Sequence, residues 1–266
     1  MNLGSYCLIK NEAPWIGPHL ASWLPHLDQM SFYDGNSTDG TLEIIKDFIA
    51  HHPQGYKIKL VEDKDPKDLK DDYVRLSNEA MWALDTDWAM FLHPDMVAKN
   101  PEAVKNVKDG IAYFCHMESY GGEPNGQLLK IAGRGTKWKN IYRLRNPDLG
   151  AHYHGWYGAA NEDTYFSAIT GDVHEFHGEE FDKYPYEVKD SGLHIMHFSD
   201  VRTYERRLDR MVKALMNQGY PQSAAEDLAP THARVTLKDG MGFKFEPAEY
   251  PAIFKTWESF KEPVRA

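Results

Sequence analysis

Cysteine is nearly absent from this 266-residue chain: only Cys7 and Cys115 occur, each inside an apolar run. That scarcity excludes a disulfide-stapled scaffold and fits buried thiols in a reducing compartment. There is no apolar run of about 18 residues, so no membrane-spanning helix is expected. The opening "MNLGSYCLIKNEAP" lacks a basic stretch followed by an apolar core and a small-residue cleavage site, so a cytoplasmic location is the expectation. Positive charge is in deficit, 30 basic against 40 acidic residues for a formal charge of −10. That balance argues against broad, non-specific gripping of phosphate backbones. A His-Glu-x-x-His zinc motif is missing too: "HEFH" sets His174 and His177 three apart, where helical zinc ligands need four, and Gly171 and Gly178 flank it. No internal repeat or low-complexity tract is visible.

What is present is ordinary globular composition, 42% hydrophobic and 26% charged, with enough length for a substantial core. The first half alternates in period. Strand-like runs at 4–10, 29–34, 56–63, 88–95 and 111–118 are separated by helical spacing at 14–27, 41–52, 69–84 and 102–110. Asp39 is placed to cap the helix at 41–52. Such alternation predicts βαβ units and a mostly parallel sheet. After residue 118 glycines, aromatics and histidines crowd the chain to residue 200, which reads as short, partly antiparallel strands and loops at the sheet edge. "DVRTYERRLDRMVKALMNQ" (200–218) is a helix stopped by Gly219 and Pro221, and the tail behind it packs back over the body.

In an open parallel sheet, ligands bind where loops and helix N-termini converge at the carboxyl ends of the strands. Three polar clusters fall there: Lys10-Asn11-Glu12, Asp34 to Asp39, and His93-Pro94-Asp95. The second, "FYDGNSTDGT" (32–41), carries ordinary turn residues, so it is either a turn alone or a turn that holds a ligand. Lys130, Arg134, Lys137, Lys139, Arg143 and Arg145 form a basic stretch that is either a solvated face or a groove for a polyanion. The aromatics of "HYHGWYG" (152–158) either pack locally or stack on a ring.

"CLIKNEAPWIGPHLASWLPHLDQMSFYDGNSTDGTLEII" resembles the opening of family 2 glycosyltransferases with the GT-A fold. "VRLSNEAMWALDTDWAMFLHPD" is similar to that family's Arg/Asn-bearing helix and metal-binding strand. The resemblance covers residues 5–97. It implies an α/β fold with a mostly parallel central sheet flanked by helices, a smaller antiparallel part and a C-terminal helix. Residues 1–118 would bind the nucleotide sugar, 119–200 would form the acceptor and catalytic half of the same domain, and 201–266 would be the helix and tail. It further implies transfer, inverting and metal-assisted, of a hexose or pentose from a nucleotide diphosphate sugar. The family ends its fourth strand in Asp-x-Asp, whereas this chain has His93-Pro94-Asp95. Asp95 thus stands at the position that usually coordinates a divalent cation, Mn²⁺ or Mg²⁺. His93, in place of the first carboxylate, is either a further ligand or a hydrogen-bonded loop histidine.

By the same resemblance Lys10, Asn11, Glu12, Asp34, Ser37, Arg75 and Arg202 belong to the nucleotide-sugar site. Arg206 either joins the phosphate contacts or pairs with a neighbouring acid. "SGLHIMHFSDVRTYERR" is similar to the segment whose late histidine returns to the metal, a role that falls to His197, with His194 as the alternative. Strand alternation would set those two on opposite faces. Glu175, in the Val-His-Glu-like "GDVHEFHGEEF", is the first choice for the base that deprotonates the acceptor, and Asp163 in "NEDTYF" the second. The acceptor could be a saccharide, a lipid-linked saccharide, a protein side chain or a modified nucleic acid. Two other readings stand beside this one. A nucleotidyltransferase would carry a glycine-rich basic loop after strand one, which "IKNEAPWIG" lacks. A catalytically weakened sugar-nucleotide-binding module fits the loss of one carboxylate at His93.

Overall fold

The structure is a computed structural model that describes residues 2–62, 73–110, 112–122, 128–143, 157–158, 165–166, 188–217, 219–238 and 244–254. The elements follow in chain order as β1 (Leu3–Ile9), α1 (Ala13–Trp23), β2 (Gln29–Asp34), α2 (Thr41–His51), β3 (Ile58–Glu62), α3 (Tyr73–Trp82), β4 (Trp88–Phe91) and β5 (Met96–Ala98). Then come β6 (Ala112–Gly122), β7 (Leu128–Arg143), β8 (Tyr157–Gly158), β9 (Tyr165–Phe166), β10 (Val188–Val201), α4 (Tyr204–Asn217), α5 (Gln222–Lys238) and β11 (Lys244–Ala248). Short 3₁₀ turns occupy Gly55–Lys57 and Pro101–Asn106, the latter where the spacing predicts a short helix over 102–110.

The main sheet runs β3-β2-β1-β4-β7-β6-β10-β5, with β11 paired to β7. Strands β3, β2, β1 and β4 are mutually parallel. β7 turns antiparallel to both β4 and β6, β10 runs parallel to β6, and β5 closes the edge antiparallel to β10. The expected α/β class is therefore the observed one.

All seven residues of β1 are buried, because helices cover both faces of the parallel half. The period-2 alternation divides them. Leu3, Cys7 and Ile9 join Ile16, Leu20 and Trp23 of α1 and Ile45 and Phe48 of α2 in one core. Tyr6 and Leu8 face Leu76, Ala80 and Met81 of α3 in the other. Gly55 shows how tightly α2 closes onto the next turn: a Cβ there would lie 2.3 Å from the Phe48 carbonyl oxygen and 2.6 Å from that of Ile49. Neither backbone atom can yield cheaply. Gly55→Ala is therefore expected to cost about 1–3 kcal/mol, read as a lower urea midpoint with an unchanged denaturant slope.

Beyond residue 118 the structure departs from the expected short strands. β6 continues to Gly122, β7 is 16 residues long and β10 is 14. Register shifts between Tyr113 and Phe114, and between Glu118 and Tyr120, break the alternation that would otherwise announce a long strand. The C-terminal part also holds more than one helix, since α5 follows α4, packs against it and carries Pro230 internally. The tail does return to the body. β11 pairs with Leu128–Ala132 of β7, and Tyr250 and Phe254 set their rings against Phe198, which also stacks on Trp15 at 5.3 Å. No helix among the described residues is long and apolar enough to cross a membrane.

Candidate active site

The loops that leave β1 and β2 are sewn together by the polar residues of 32–41. Gly35 N–H donates to the Ile9 carbonyl. The Asp34 carboxylate, 1% exposed, accepts the Ser37 backbone N–H at 3.0 Å and its hydroxyl at 2.6 Å. Ser37 Oγ in turn accepts the Asn11 N–H at 2.9 Å, Asn11 Oδ1 accepts the Thr38 N–H at 2.8 Å, and Thr41 Oγ1 accepts the Glu12 N–H at 2.8 Å. Asp39 spans both helix starts, accepting N–H groups of Ala13 and Thr41. Asp39 thus acts one residue before the cap position of α2, which is Gly40 at φ +95°. Asn11 and Asn36 take left-handed backbone at φ 58° and 59°, a conformation Asn tolerates better than most residues. The stretch is a turn whose side chains hold Glu12 in place, with Asp34 closed into its own loop.

Asp95 leaves the end of β4 and is 4% exposed. The β5–β10 register puts His197 opposite Met96, and Phe198 N–H donates to the Asp95 carbonyl, so the edge strand itself delivers His197 to Asp95. His197 Nε2 lies 3.4 Å from Asp95 Oδ1. That separation suits an ion pair but is long for a hydrogen bond, and Oδ1 is buried with no hydrogen-bond donor among the described residues. The His93 ring lies nearly parallel to that of His197, centroids 6.0 Å apart. His194, on the other face of the strand, stacks instead on His116 at 4.8 Å. Of the two histidines, His197 is the one beside Asp95.

Arg202, just past β10, ties the clusters together. Its Nη2 donates to Asp95 Oδ2 at 2.9 Å, while Nη1 stands 3.7 Å from Glu12 Oε2. Arg206, in the first turn of α4, reaches Glu12 Oε1 at 3.4 Å and also donates to the Asn11 carbonyl. Arg207 fixes the approach by donating to the carbonyls of Gly122 and Arg202. Arginines at a helix start oppose its dipole. Their concentration here is explained by the acids they meet, Asp95 and Glu12. Burial alone would push the Asp95 carboxyl up, but His197, Arg202 and His93 outweigh it and hold the group well below the usual carboxylate range.

A second layer sits behind Asp95. His19 Nδ1 and Trp23 Nε1, both on α1, meet the Met96 carbonyl at 2.8 and 3.0 Å. Neither residue is read as part of a site from the sequence, although Trp15, His19 and Trp23 recur every four residues and so mark one buried helical face. Lys10 is exposed at the β1 end. Arg75 lies on α3, its side chain outside the described residues, as are Glu175 and Asp163 altogether.

No family model and no curated protein matches the sequence. Similarity is found among solved structures. S. aureus TarS (residues 1–349) is similar at 12% identity and a TM-score of 0.40, over 91% of this chain and 74% of that one. A mannosyltransferase from Pyrobaculum calidifontis, in complex with GDP-Man and Mn²⁺, is similar at 14% identity and a TM-score of 0.45, over 100% of this chain and 81% of that one. Glucosyl-3-phosphoglycerate synthase from Mycobacterium tuberculosis, with Mn²⁺ and UDP-glucose, gives 20% identity and a TM-score of 0.29, over 47% of this chain and 44% of that one.

Proposed function

We propose that this protein is a glycosyltransferase that moves a hexose or pentose from a nucleotide diphosphate sugar to a hydroxyl acceptor, with inversion. The observation that carries the reading is the Arg202 guanidinium. It contacts Asp95 beyond β4 and Glu12 beyond β1, so carboxylates from two neighbouring parallel strands share one polar centre. Strand ends of an open sheet are where such a fold binds its ligands.

The residues fit a divalent ion in part. Asp95 Oδ1 is a buried carboxylate oxygen without a donor among the described residues, and His197 Nε2 lies 3.4 Å away. One carboxylate oxygen and one imidazole nitrogen suit Mn²⁺ better than Mg²⁺, which prefers oxygen and water. No group of three His, Cys, Asp or Glu among the described residues could hold an ion, so diphosphate oxygens would complete the shell and His93 would stay a neighbour of His197. When bound, the ion supplies positive charge against the departing diphosphate.

Arg202 and Arg206 offer charge-assisted hydrogen bonds to the same phosphates. Glu12 accepts hydrogen bonds from base or ribose, with Lys10, Asn11, Asp34, Ser37 and Arg75 forming that side of the site. For Asn11, Asp34 and Ser37 that role is to hold the loop, given the hydrogen bonds they already make to one another. Glu175 takes the proton of the acceptor hydroxyl as it attacks opposite the leaving group, and Asp163 is the alternative base. The acceptor belongs to the saccharides, lipid-linked saccharides, proteins or modified nucleic acids.

Incubating the protein with a panel of UDP- and GDP-sugars and Mn²⁺ is expected to release UDP or GDP. Glu175→Gln should slow release by about 10²–10⁴, whereas Asp163→Asn should change it little. Equal losses in both variants would leave the base unassigned to Glu175, and failure of every sugar nucleotide to bind would end the reading. One observation favours a second possibility, a binding module without turnover: Arg202 already occupies Asp95 Oδ2. Tight donor binding with no release across acceptors would establish that instead.

A further inference from the structure

Each residue of the polar centre stands beside one small apolar cluster. Glu12 opens α1, and its carbonyl accepts the N–H groups of Trp15 and Ile16, both at 2.9 Å. Asp95 lies two residues before Val97, His197 directly before Phe198, and Arg202 directly after Val201. Trp15, Val97, Phe198 and Val201 are buried together, apart from the two cores of the parallel half. Successive side chains on a strand point to opposite faces. A ring held at Phe198 therefore fixes where His197 points. The Phe198 N–H, donated to the Asp95 carbonyl at 2.9 Å, ties Asp95 to the same strand.

The tail supplies the outer wall of this cluster. Tyr250, Ile253 and Phe254 pack against it from beyond β11. Phe254 sets its ring edge-on to Trp15 at 5.9 Å and steeply inclined to Phe198 at 5.4 Å, with the Tyr250 ring 5.2 Å away. It thus bridges the start of α1, which carries Glu12, and the end of β10, which carries His197 and leads to Arg202. Ring pairs of this geometry add to what burial alone contributes, and they favour one relative orientation. A void in place of the Phe254 ring would let α1 and β10 shift against each other, since groups around a lost side chain relax partly towards it.

We propose that Phe254 is a positioning residue of the active site: it clamps Trp15 to Phe198 and so sets the spacing of Glu12 from Asp95, His197 and Arg202. The consequence for binding rests on the donor-binding reading given above. The clamp itself has a signature that needs no ligand.

Arg202 supplies that signature. Its guanidinium is held by Asp95 and Glu12, so its N–H groups should give sharp signals in the nitrogen–proton NMR spectrum of the wild type. Phe254→Ala should shift or broaden them, and Phe254→Tyr, which keeps the ring, should restore them. Calorimetric titration with UDP and with GDP, in the presence of Mn²⁺, gives the second readout, taken well below the unfolding temperature of every variant. Phe254→Ala is expected to weaken the nucleotide that binds by about tenfold, and Phe254→Tyr by less than about twofold. Gly55→Ala, destabilised in the turn between α2 and β3, is the comparison. It should lower stability yet leave affinity within about twofold of the wild type. Phe254→Leu, a milder change, takes the place of the alanine variant if that one does not fold. Unchanged Arg202 signals, or an affinity loss no larger than that of Gly55→Ala, would overturn the positioning role while leaving the donor site standing. Binding of neither nucleotide to the wild type would overturn the donor reading, and the Arg202 signals alone would then decide whether Phe254 positions the centre.

Discussion

Asp95→Asn is expected to cut donor turnover by about 10²–10³, the usual loss when one stabiliser of developing charge is removed, while the protein still folds. Asparagine keeps an oxygen for the Arg202 Nη2 donor, which lies 2.9 Å from Asp95 Oδ2, and it preserves the side-chain volume. What it removes is the negative charge at Oδ1, the buried oxygen facing His197. Asp95→Ala does something different. It leaves Arg202, 8% exposed, without its closest carboxylate, and breaking a buried pair from one side costs about 3–5 kcal/mol. The two substitutions therefore differ in how far chemistry and stability fall together, Asp95→Asn losing the charge alone and Asp95→Ala the whole side chain. Nucleotide release measures the first, and thermal unfolding of both variants measures the second. Wild-type turnover in a folded Asp95→Asn protein would remove Asp95 from the mechanism.

How much of this was legible beforehand depends on the range of the interactions. The strand ends carrying Glu12, Asp34 and Asp95 follow from local period and turn chemistry, which a linear string displays well. So does the separation of His197 from His194, because alternation along one strand is a local property. The partner of Asp95 is not local. Arg202 is 107 positions away, and no periodicity announces that its guanidinium falls between Asp95 and Glu12. The same holds for the 32–41 loop: its residues advertise a turn, but not that Ser37, Asp39 and Thr41 give their oxygens to backbone N–H groups at 11–13. Helix α5 was hidden for a compositional reason. Its buried positions include Ala225 and Ala229, small residues that make a faint apolar stripe, and Pro230 reads as a breaker. β7 was hidden by Gly133 and Gly135 and by lysines spaced along a strand that other strands pair on both sides.

The second large effect lies in pH. As pH falls from 6.5 to about 4 the protein is expected to lose about 3 kcal/mol of stability through His19 alone. Burial drives its imidazole down from 6.5 to about 4, against the opposing pull of the Met96 carbonyl and the Asp95 charge. The carbonyl can only accept, so Nδ1 carries the hydrogen, and Nε2 is a bare buried acceptor with no partner among the described residues. Protonating it would create a charge with nothing to receive its hydrogen. The unfolded chain, with an ordinary histidine, takes up the proton first, so acid favours unfolding and the full contribution is present only above pH 6.5. His26 and His52 are lowered chiefly by burial as well, but both reach solvent and add less. Below about pH 4.5 a second loss begins at carboxylates. Burial would raise Glu118, yet hydrogen bonds from Lys99, Tyr120 and Lys130 bring it down to about 2, and Asp95 is depressed also. Their stabilisation is complete above the unfolded carboxylate range and is lost progressively as pH falls from there towards the lower folded values. His19→Phe keeps a ring against Phe32, whose centroid lies 5.9 Å from that of His19, and leaves the Trp23 donor on the Met96 carbonyl. Urea midpoints measured from pH 8 to pH 4 should fall steeply in the wild type and stay nearly level in His19→Phe down to about pH 4.5. An equal decline in both proteins would mean that some other group carries the titration.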